Sequence, residues 1–338
     1  MIELDLDDPR WQELLERSPA ANAFHHPSWA KLLGECYGYR TFALARLDDG
    51  GRVEAGLPVA EVRSFGRRRW TSLPFTDECM PLGPVDGLAA ELDAARAAAV
   101  VGRVDVRAPL DVYAGAHAET DAFRHVLELG PDAEHVFAGF RRKQVQQPLE
   151  KALERGLVRI ELGVEAADLT ERYYALHTAT RRRLGVPVQP RRFFELVWRR
   201  MLERGLGFVL LARAGETTVA GAVFLAWNGT LTYKYSASDP AAWQLRPNNV
   251  LLWEAIRWGC ENGYCSFDFG RTDAGNDGLR RFKTGWGAVE SPLVYTTVGP
   301  QPARHGAGGP RRAAGFVLRR SPAWVCRGVG ELLYRYAA

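Results

Sequence analysis

ETTVAGAVFLAWNGTLTYKYSAS, Glu216 to Ser238, reads as two strands joined by one tight turn. Asn228-Gly229 is the pair a two-residue hairpin favours, because both central positions take positive φ. A second stretch has the same plan. GRVEAGLPVAEVRSFGRRRWTSLPF, Gly51 to Phe75, has a turn, a V-x-A-G strand entry, an alternating strand, a turn at Gly66 and a strand bearing an aromatic. Helices and one further strand precede each stretch, YRTFALARL in the first half and FVLLARAG in the second. Two meanders on one plan predict a duplicated α/β unit with mixed sheets.

Working outward, residues 7–18 form a first helix, and Ser28 is the N-cap candidate for a second within FHHPSWAKLLGECYG. LAAELDAARAAAV is an Ala-rich helix, VDVRAP and FRHVLELG are strands, and the first half closes near Pro131. PDAEHVFAGFRRKQVQQPLEKALERG is helical with a break expected at Pro148, followed by the strand VRIELGV and a helix over 167–184. In NNVLLWEAIRWGCENG the residues Leu251, Leu252, Ala255, Ile256 and Gly259 fall on one side of a helix. CSFDFGR and SPLVYTTV are the last strands. The expected organisation is 1–135, 136–300 and a tail, 301–338.

Composition narrows the class. The chain has 338 residues, 46% hydrophobic and 25% charged, which suits two globular domains. No apolar run reaches membrane-span length, and the acidic start MIELDLDDPRWQELLERS lacks an apolar signal core, so a cytoplasmic protein is expected. The five cysteines, 36, 79, 260, 265 and 326, have neither zinc spacing nor a disulfide pattern; they are expected as buried thiols, and no metal site is expected. His25 and His26 have no third ligand at suitable spacing and suit capping or packing. From residue 301 onward there are seven arginines and one acid, Glu331, a net +6 against +4 for the whole chain. HGAGGPRRAAG suits a linker. The apolar and arginine residues that follow suit either a helix on an anionic membrane surface, through residues 310–338, or one docked on the body.

FDFGRTDAGNDGLRRFKTGWGA, Phe267 to Ala288, gathers Asp268, Arg271, Arg281 and Lys283 around a glycine-rich loop. Together with RRRLGVPVQPRRFF, the Ala-Gly strands, YSASD and LLWEAIRWGCENGY, it follows in order the layout of GNAT-type acyltransferases. In tandem, these units resemble the Fem-type (FemA, FemB, FemX) aminoacyltransferases, which build peptidoglycan bridges. More closely, they resemble Fem-like proteins of polysaccharide-export and protein-sorting gene neighbourhoods. The resemblance spans roughly residues 15–300 and is strongest over 137–296.

The resemblance implies two tandem GNAT-like domains and transfer of an aminoacyl or acyl group to an amine of a cell-wall or polysaccharide precursor. The co-substrate would be aminoacyl-tRNA or acyl-CoA, with no permanently bound cofactor. Lys283, in FKTGWG, would stabilise the oxyanion or the departing ribose oxygen. Asp268 alternates with Phe267 and Phe269, points to the other strand face, and could orient Lys283 or Arg271 or draw in the acceptor ammonium. It could equally form an ion pair with Arg271 or Arg281. Those two arginines suit phosphate or carboxylate. Tyr233 and Tyr235, read as sharing one strand face, and Asn249 are further substrate-binding candidates. Phe75 and Asp77, in SLPFTDECMPLGP, match an acceptor loop. Arg246 and Asn248, in LRPNNVLLWEA, are donor-binding candidates at a helix start. That stretch lacks the glycines of a CoA pyrophosphate loop, which favours tRNA as donor. Arg141, Arg142 and Lys143 could meet tRNA phosphates. An acyl-CoA N-acetyltransferase and a non-catalytic envelope-assembly protein are the alternatives.

Overall fold

The computed structural model describes residues 1–64, 66–300 and 309–336, with side chains left undescribed for 309–314. The chain forms two compact units. One holds Met1–Ala122 and the strand residues from Pro292 on; the other holds Phe123–Ser291 and the C-terminal helices.

The first unit contains β1 (Ile2–Leu4), α1 (Pro9–Arg17), α2 (Pro27–Tyr37), β2 (Arg40–Leu47), β3 (Val53–Ser64), β4 (Arg67–Thr71), α3 (Leu88–Ala98), β5 (Val104–Val106) and the start of β6 (Ala116–Glu128). β1 to β4 pair antiparallel in sequence order, and β4 pairs parallel with β5 through Trp70 and Thr71. Phe42, Leu44, Leu57, Val59 and Trp70 form one face of the core with Leu88 and Leu92 of α3. The N-cap of α2 is His26, whose ring accepts from Ser28 N at 3.2 Å, rather than Ser28. Pro27 takes the first helical position, where its missing N–H costs nothing. His25 is buried, with its ring held by Met80 O at 2.8 Å and by Asn22.

The second unit adds α4 (Ala133–Ala138), α5 (Gln147–Arg155), β7 (Arg159–Leu162), α6 (Tyr174–Leu184), α7 (Arg191–Arg200), β8 (Gly207–Ala214), β9 (Thr217–Trp227), β10 (Thr230–Ser238), α8 (Pro247–Glu261), β11 (Ser266–Asp273), α9 (Asp277–Gly285), the first residues of β12 (Val289–Val298), α10 (Gly309–Arg320) and α11 (Ala323–Leu333). Its strand order, from β7, is β7-β8-β9-β10-β11-β6. β7 to β10 are antiparallel and β10–β11 is parallel, so the meander and crossover of the first unit recur. Asn228 (φ 49°) and Gly229 (φ 71°) make the hairpin turn that their pairing predicts. The fold is mixed α/β, with two GNAT-like units.

α8 packs Leu251, Leu252, Ala255 and Ile256 against Phe224, Leu231 and Phe267 on one sheet face. Each such buried Leu or Ile contributes roughly 1.5–3 kcal/mol. On the other face, Gly221 lets the Tyr173 ring approach closely, and Phe193 and Phe194 of α7 pack on Tyr235. Pro148 does not break a long helix. A π-helical turn over Arg142–Gln146 precedes it, and Pro148 stands in the first turn of α5. The expected 167–184 helix likewise begins as a π-helical turn, Asp168–Tyr173, before α6.

The tail docks on α6. Leu318, Cys326 and Tyr334 are buried, and Gly330 lies so close to Val188 O that a side chain there would collide. Residues 309–315 are helix rather than linker, while 301–308 of the proposed linker lie outside the described residues. Cys79, Cys260 and Cys326 are buried thiols, but Cys265 is exposed and Cys36 half-buried, because each stands at or near the end of its element. Among the described residues no helix is long and apolar enough to cross a membrane.

Candidate functional site

The candidate site lies in the second unit, where two strands part. β10 and β11 pair only over Thr230–Thr232 and Ser266–Asp268, yet β10 runs on to Ser238 and β11 to Asp273. Two local features end the ladder. The register of β10 against β9 shifts between Tyr233 and Tyr235, a bulge at Lys234. In β11, Gly270 takes φ 70°, a conformation closed to most side chains.

Asp268, Gly270 and Lys283 form one connected group. Asp268 is 5% exposed; one carboxylate oxygen accepts from Gly270 N at 2.8 Å and the other from Arg124 Nε at 2.9 Å. Lys283 is 4% exposed, and its ammonium donates to Gly270 O at 2.9 Å and Arg271 O at 3.1 Å. The lysine is neither on a loop nor at a strand start. It stands in the last turn of α9, which Asn276 caps by accepting from Leu279 N at 3.1 Å. A buried ammonium needs such oxygen partners. It is thereby a fixed positive charge at the end of β11 that need not reorganise when negative charge develops nearby.

The alternative reading of Asp268, an ion pair with Arg271 or Arg281, is not found among the described residues; Arg124 of β6 is the partner. Arg271 pairs with Asp273 at 2.9 Å. The glycine at 270 turns the backbone, so Arg271 contributes its carbonyl to Lys283 and its side chain to the surface. Among the described residues the Arg281 guanidinium has no hydrogen-bond or ion-pair partner, and it lines a cavity of about 330 Å³ with Asp277, Arg280, Thr284 and Glu290.

Tyr233 and Tyr235 do not share a face, because the bulge between them shifts the alternation. Tyr233 packs its ring against Phe224 and Phe267, and burial pushes its phenol up to about 12. Tyr235 packs on the opposite side, among His177, Phe193 and Phe194. His177 bonds Gln189 Oε1 at 2.7 Å and is pushed down to about 3 by burial and nearby Arg181. It is therefore neutral at pH 7.

The start of α8 is the third component. Arg246 holds the N-cap position at φ 56°, and no side chain caps the helix. Asn248 Nδ2 donates to Ser238 Oγ at 3.2 Å, tying this start to the end of β10. Asn249 is 8% exposed; its backbone N–H donates to Arg246 O at 3.0 Å, and its side-chain amide makes no hydrogen bond among the described residues. Arg246 lines a cavity of about 310 Å³ together with Lys143, Lys151, Arg155, Gln147 and Gln244, with no carboxylate. Among the described residues none of these four cations has a side-chain hydrogen bond or ion pair. Four unpaired cations repel one another, which an incoming polyanion would relieve.

Sequence reasoning missed Arg124, His125, Arg280 and Glu290. Arg280 forms a two-bond ion pair with Glu290, at 2.9 and 2.7 Å, and lies over the Phe123 ring. His125 is fully buried; Nε2 reaches Glu290 Oε2 at 2.9 Å and Nδ1 has no partner. Burial and then the Lys283 charge hold its pKa low, against the pull of Glu290. Adjacent Arg and His inside the strand FRHVLELG were the available signal. Phe75 (φ 63°) and Asp77 lie in the first unit, in a loop where Leu73 (φ 62°) is also left-handed. Asp77 O accepts from Tyr295 Oη at 2.7 Å, and Phe75 packs on Tyr37. Among the described residues no three His, Cys, Asp or Glu could together hold a metal.

Comparison with known proteins bears on the fold. Residues 139–284 match the family model of the acetyltransferase (GNAT) domain. No curated protein matches the chain. Among solved structures, that of FemX is similar over 88% of this chain and 97% of its own, with TM-score 0.70 and 14% identity. The C-terminal domain assigned as a lysylphosphatidylglycerol synthetase from Agrobacterium fabrum covers 95% of each chain, with TM-score 0.55 and 13% identity. L-PGS from Bacillus licheniformis covers 98% of each, with TM-score 0.54 and 14% identity. At such identities the likeness is one of fold. Together with the family model, it supports a GNAT-like fold for the second unit.

Proposed function

We propose that the second unit moves an aminoacyl group from aminoacyl-tRNA to the amine of an envelope precursor. The observation that carries this is the start of α8: Arg-Pro-Asn-Asn in place of glycines, opening beside four unpaired cations. A glycine loop packs tightly round one pyrophosphate, whereas a wider basic cavity suits a nucleic-acid backbone. The name of one similar structure, a lysylphosphatidylglycerol synthetase, supports transfer of an aminoacyl group.

In the reaction the amine nitrogen attacks the ester carbonyl, and the carbonyl oxygen gathers negative charge. The ester C–O bond then breaks, and the ribose hydroxyl leaves with the proton given up by the amine. The donor supplies the activation, so positioning and charge stabilisation are the protein's share. Lys283 supplies positive charge. Asp268 positions it by holding the Gly270 turn whose carbonyl binds the ammonium. Arg281 is placed for a phosphate or carboxylate of the acceptor.

The uncapped helix start also favours a second reading, an acyl-CoA donor. Binding of charged tRNA and of acetyl-CoA to the purified protein separates the two. Salt-sensitive binding of charged tRNA without CoA binding is expected. Tight CoA binding alone would replace the proposal with the second reading.

A further inference from the structure

The tail has a second face that docking leaves uncovered. Both α10 and α11 pack on α6; Leu318 and Cys326 are buried, and Gly330 lies against Val188 just beyond α6. Cys326 Sγ also donates to Leu318 O at 3.3 Å, linking the two helices. Their opposite sides therefore point away from the body. There Phe316 and Val317 of α10, and Trp324 and Leu332 of α11, are each more than half exposed. Six of the eighteen large apolar side chains exposed among the described residues fall within Phe316–Tyr336, so this density is well above that of the remaining surface. On α11, Trp324, Gly328 and Leu332 follow at steps of four, one continuous stripe, and Arg335 follows in the helical turn just after it.

The charge on this face is one-sided. Arg320, Arg327 and Arg335 are exposed, whereas Arg319 donates to Leu184 O at the end of α6, at 3.3 Å; the one acid, Glu331, accepts from Arg191 N at 3.1 Å, which turns its charge toward the start of α7. Arg320 lies over the Phe316 ring at 3.6 Å, so a cation and an aromatic share one spot of the surface. Arginines beside a tryptophan and leucines on a short helical face match an interfacial helix, in which apolar side chains enter the headgroup boundary and cations meet lipid phosphates.

We propose that α10 and α11 clamp the second unit to an anionic bilayer surface: one face holds α6, and the face carrying Phe316, Trp324 and Leu332 enters the lipid. This is independent of the donor and of the reaction proposed above. It would hold the site next to any acceptor carried on a lipid.

The test is co-sedimentation of the full-length chain with vesicles of phosphatidylcholine alone and with one-third phosphatidylglycerol. Binding to the anionic vesicles only is expected, weakening as salt rises. The Trp324→Ser/Leu332→Ser double variant should bind at least tenfold more weakly at an unchanged melting temperature, because both side chains are exposed in the folded chain. Equal binding by the double variant would overturn the proposal, as would no preference for anionic vesicles. A wild-type dimer that the same substitutions convert to monomer would overturn it too, making the face a contact between two copies.

Discussion

The two units place a helix at the same point of the meander, yet the two helix starts differ. In the first unit, Asp111 accepts from Gly87 N at 3.1 Å and Ala89 N at 3.0 Å, so a carboxylate of the chain itself fills the start of α3. In the second, α8 begins with no side-chain cap, beside unpaired cations. The strand pairs differ in the same sense. After β4, Ser72 N still donates to Asp105 O at 2.9 Å and Ser72 Oγ accepts from Arg107 N at 2.7 Å, so the chain stays bound to the neighbouring strand. After Thr232, β10 leaves β11. One copy of the fold has closed its ligand positions with its own side chains, and the other keeps them open. The difference supports the proposal that the chemistry belongs to the second unit.

The sharpest way to break this assignment is Lys283→Met, which keeps the stem and removes the charge. Donor turnover should fall about 10²–10³-fold in kcat, the scale of losing one stabilising group at a developing oxyanion. Unchanged kcat would remove Lys283 from the chemistry. Lys151→Ala/Arg155→Ala should come next, raising KM for a polyanionic donor about tenfold or more with kcat largely kept, as measured by initial rates.

Acid stability separates the units differently. His25 and His177 are buried and neutral, held down to about 4 and about 3, in each case chiefly by burial. Their unfolded forms take up protons below about 6.5, so the unfolded state binds more protons and stability falls as pH drops. The stability these two groups contribute is complete above that value. It is lost progressively toward pH 4 through His25 and toward pH 3 through His177. Denaturant melts between pH 7 and 4 should show the slope, and His177→Gln should flatten it if the fold keeps the Tyr173 and Gln189 contacts. The smallest effect belongs to Asp111→Asn. It should destabilise by about 1 kcal/mol or less through the weakened α3 cap and leave transfer rates unchanged. A loss of activity there would mean that the first unit takes part in the chemistry.

Much of this was legible. Asn228-Gly229, the spacing of Leu251, Leu252, Ala255 and Ile256, and the repeated meander are local signals, and the structure follows them. Three features were not. The bulge at Lys234 is invisible because Tyr-Lys-Tyr alternates perfectly; only its register against Phe224 and Val223 exposes the extra residue. α9 is nine residues long in a glycine-dense stretch, so its cap, Asn276, and its two large apolar residues, Leu279 and Phe282, gave too short a period to outweigh loop composition. The partner of Asp268 is Arg124, 144 residues away in sequence, a distance that no spacing rule reaches. The asymmetry between the units rests on such non-local pairs, Asp111 with α3 among them.

The most direct measurement is the affinity of charged tRNA for the wild type and for Lys151→Ala/Arg155→Ala across a salt series. If the open end of α8 holds the donor, the wild-type slope of log K against log salt should be steep. The variant should lose about 1.4–1.8 of that slope, the share of two phosphate contacts. Equal slopes for the two proteins would contradict the account and leave the four cations without a donor to hold.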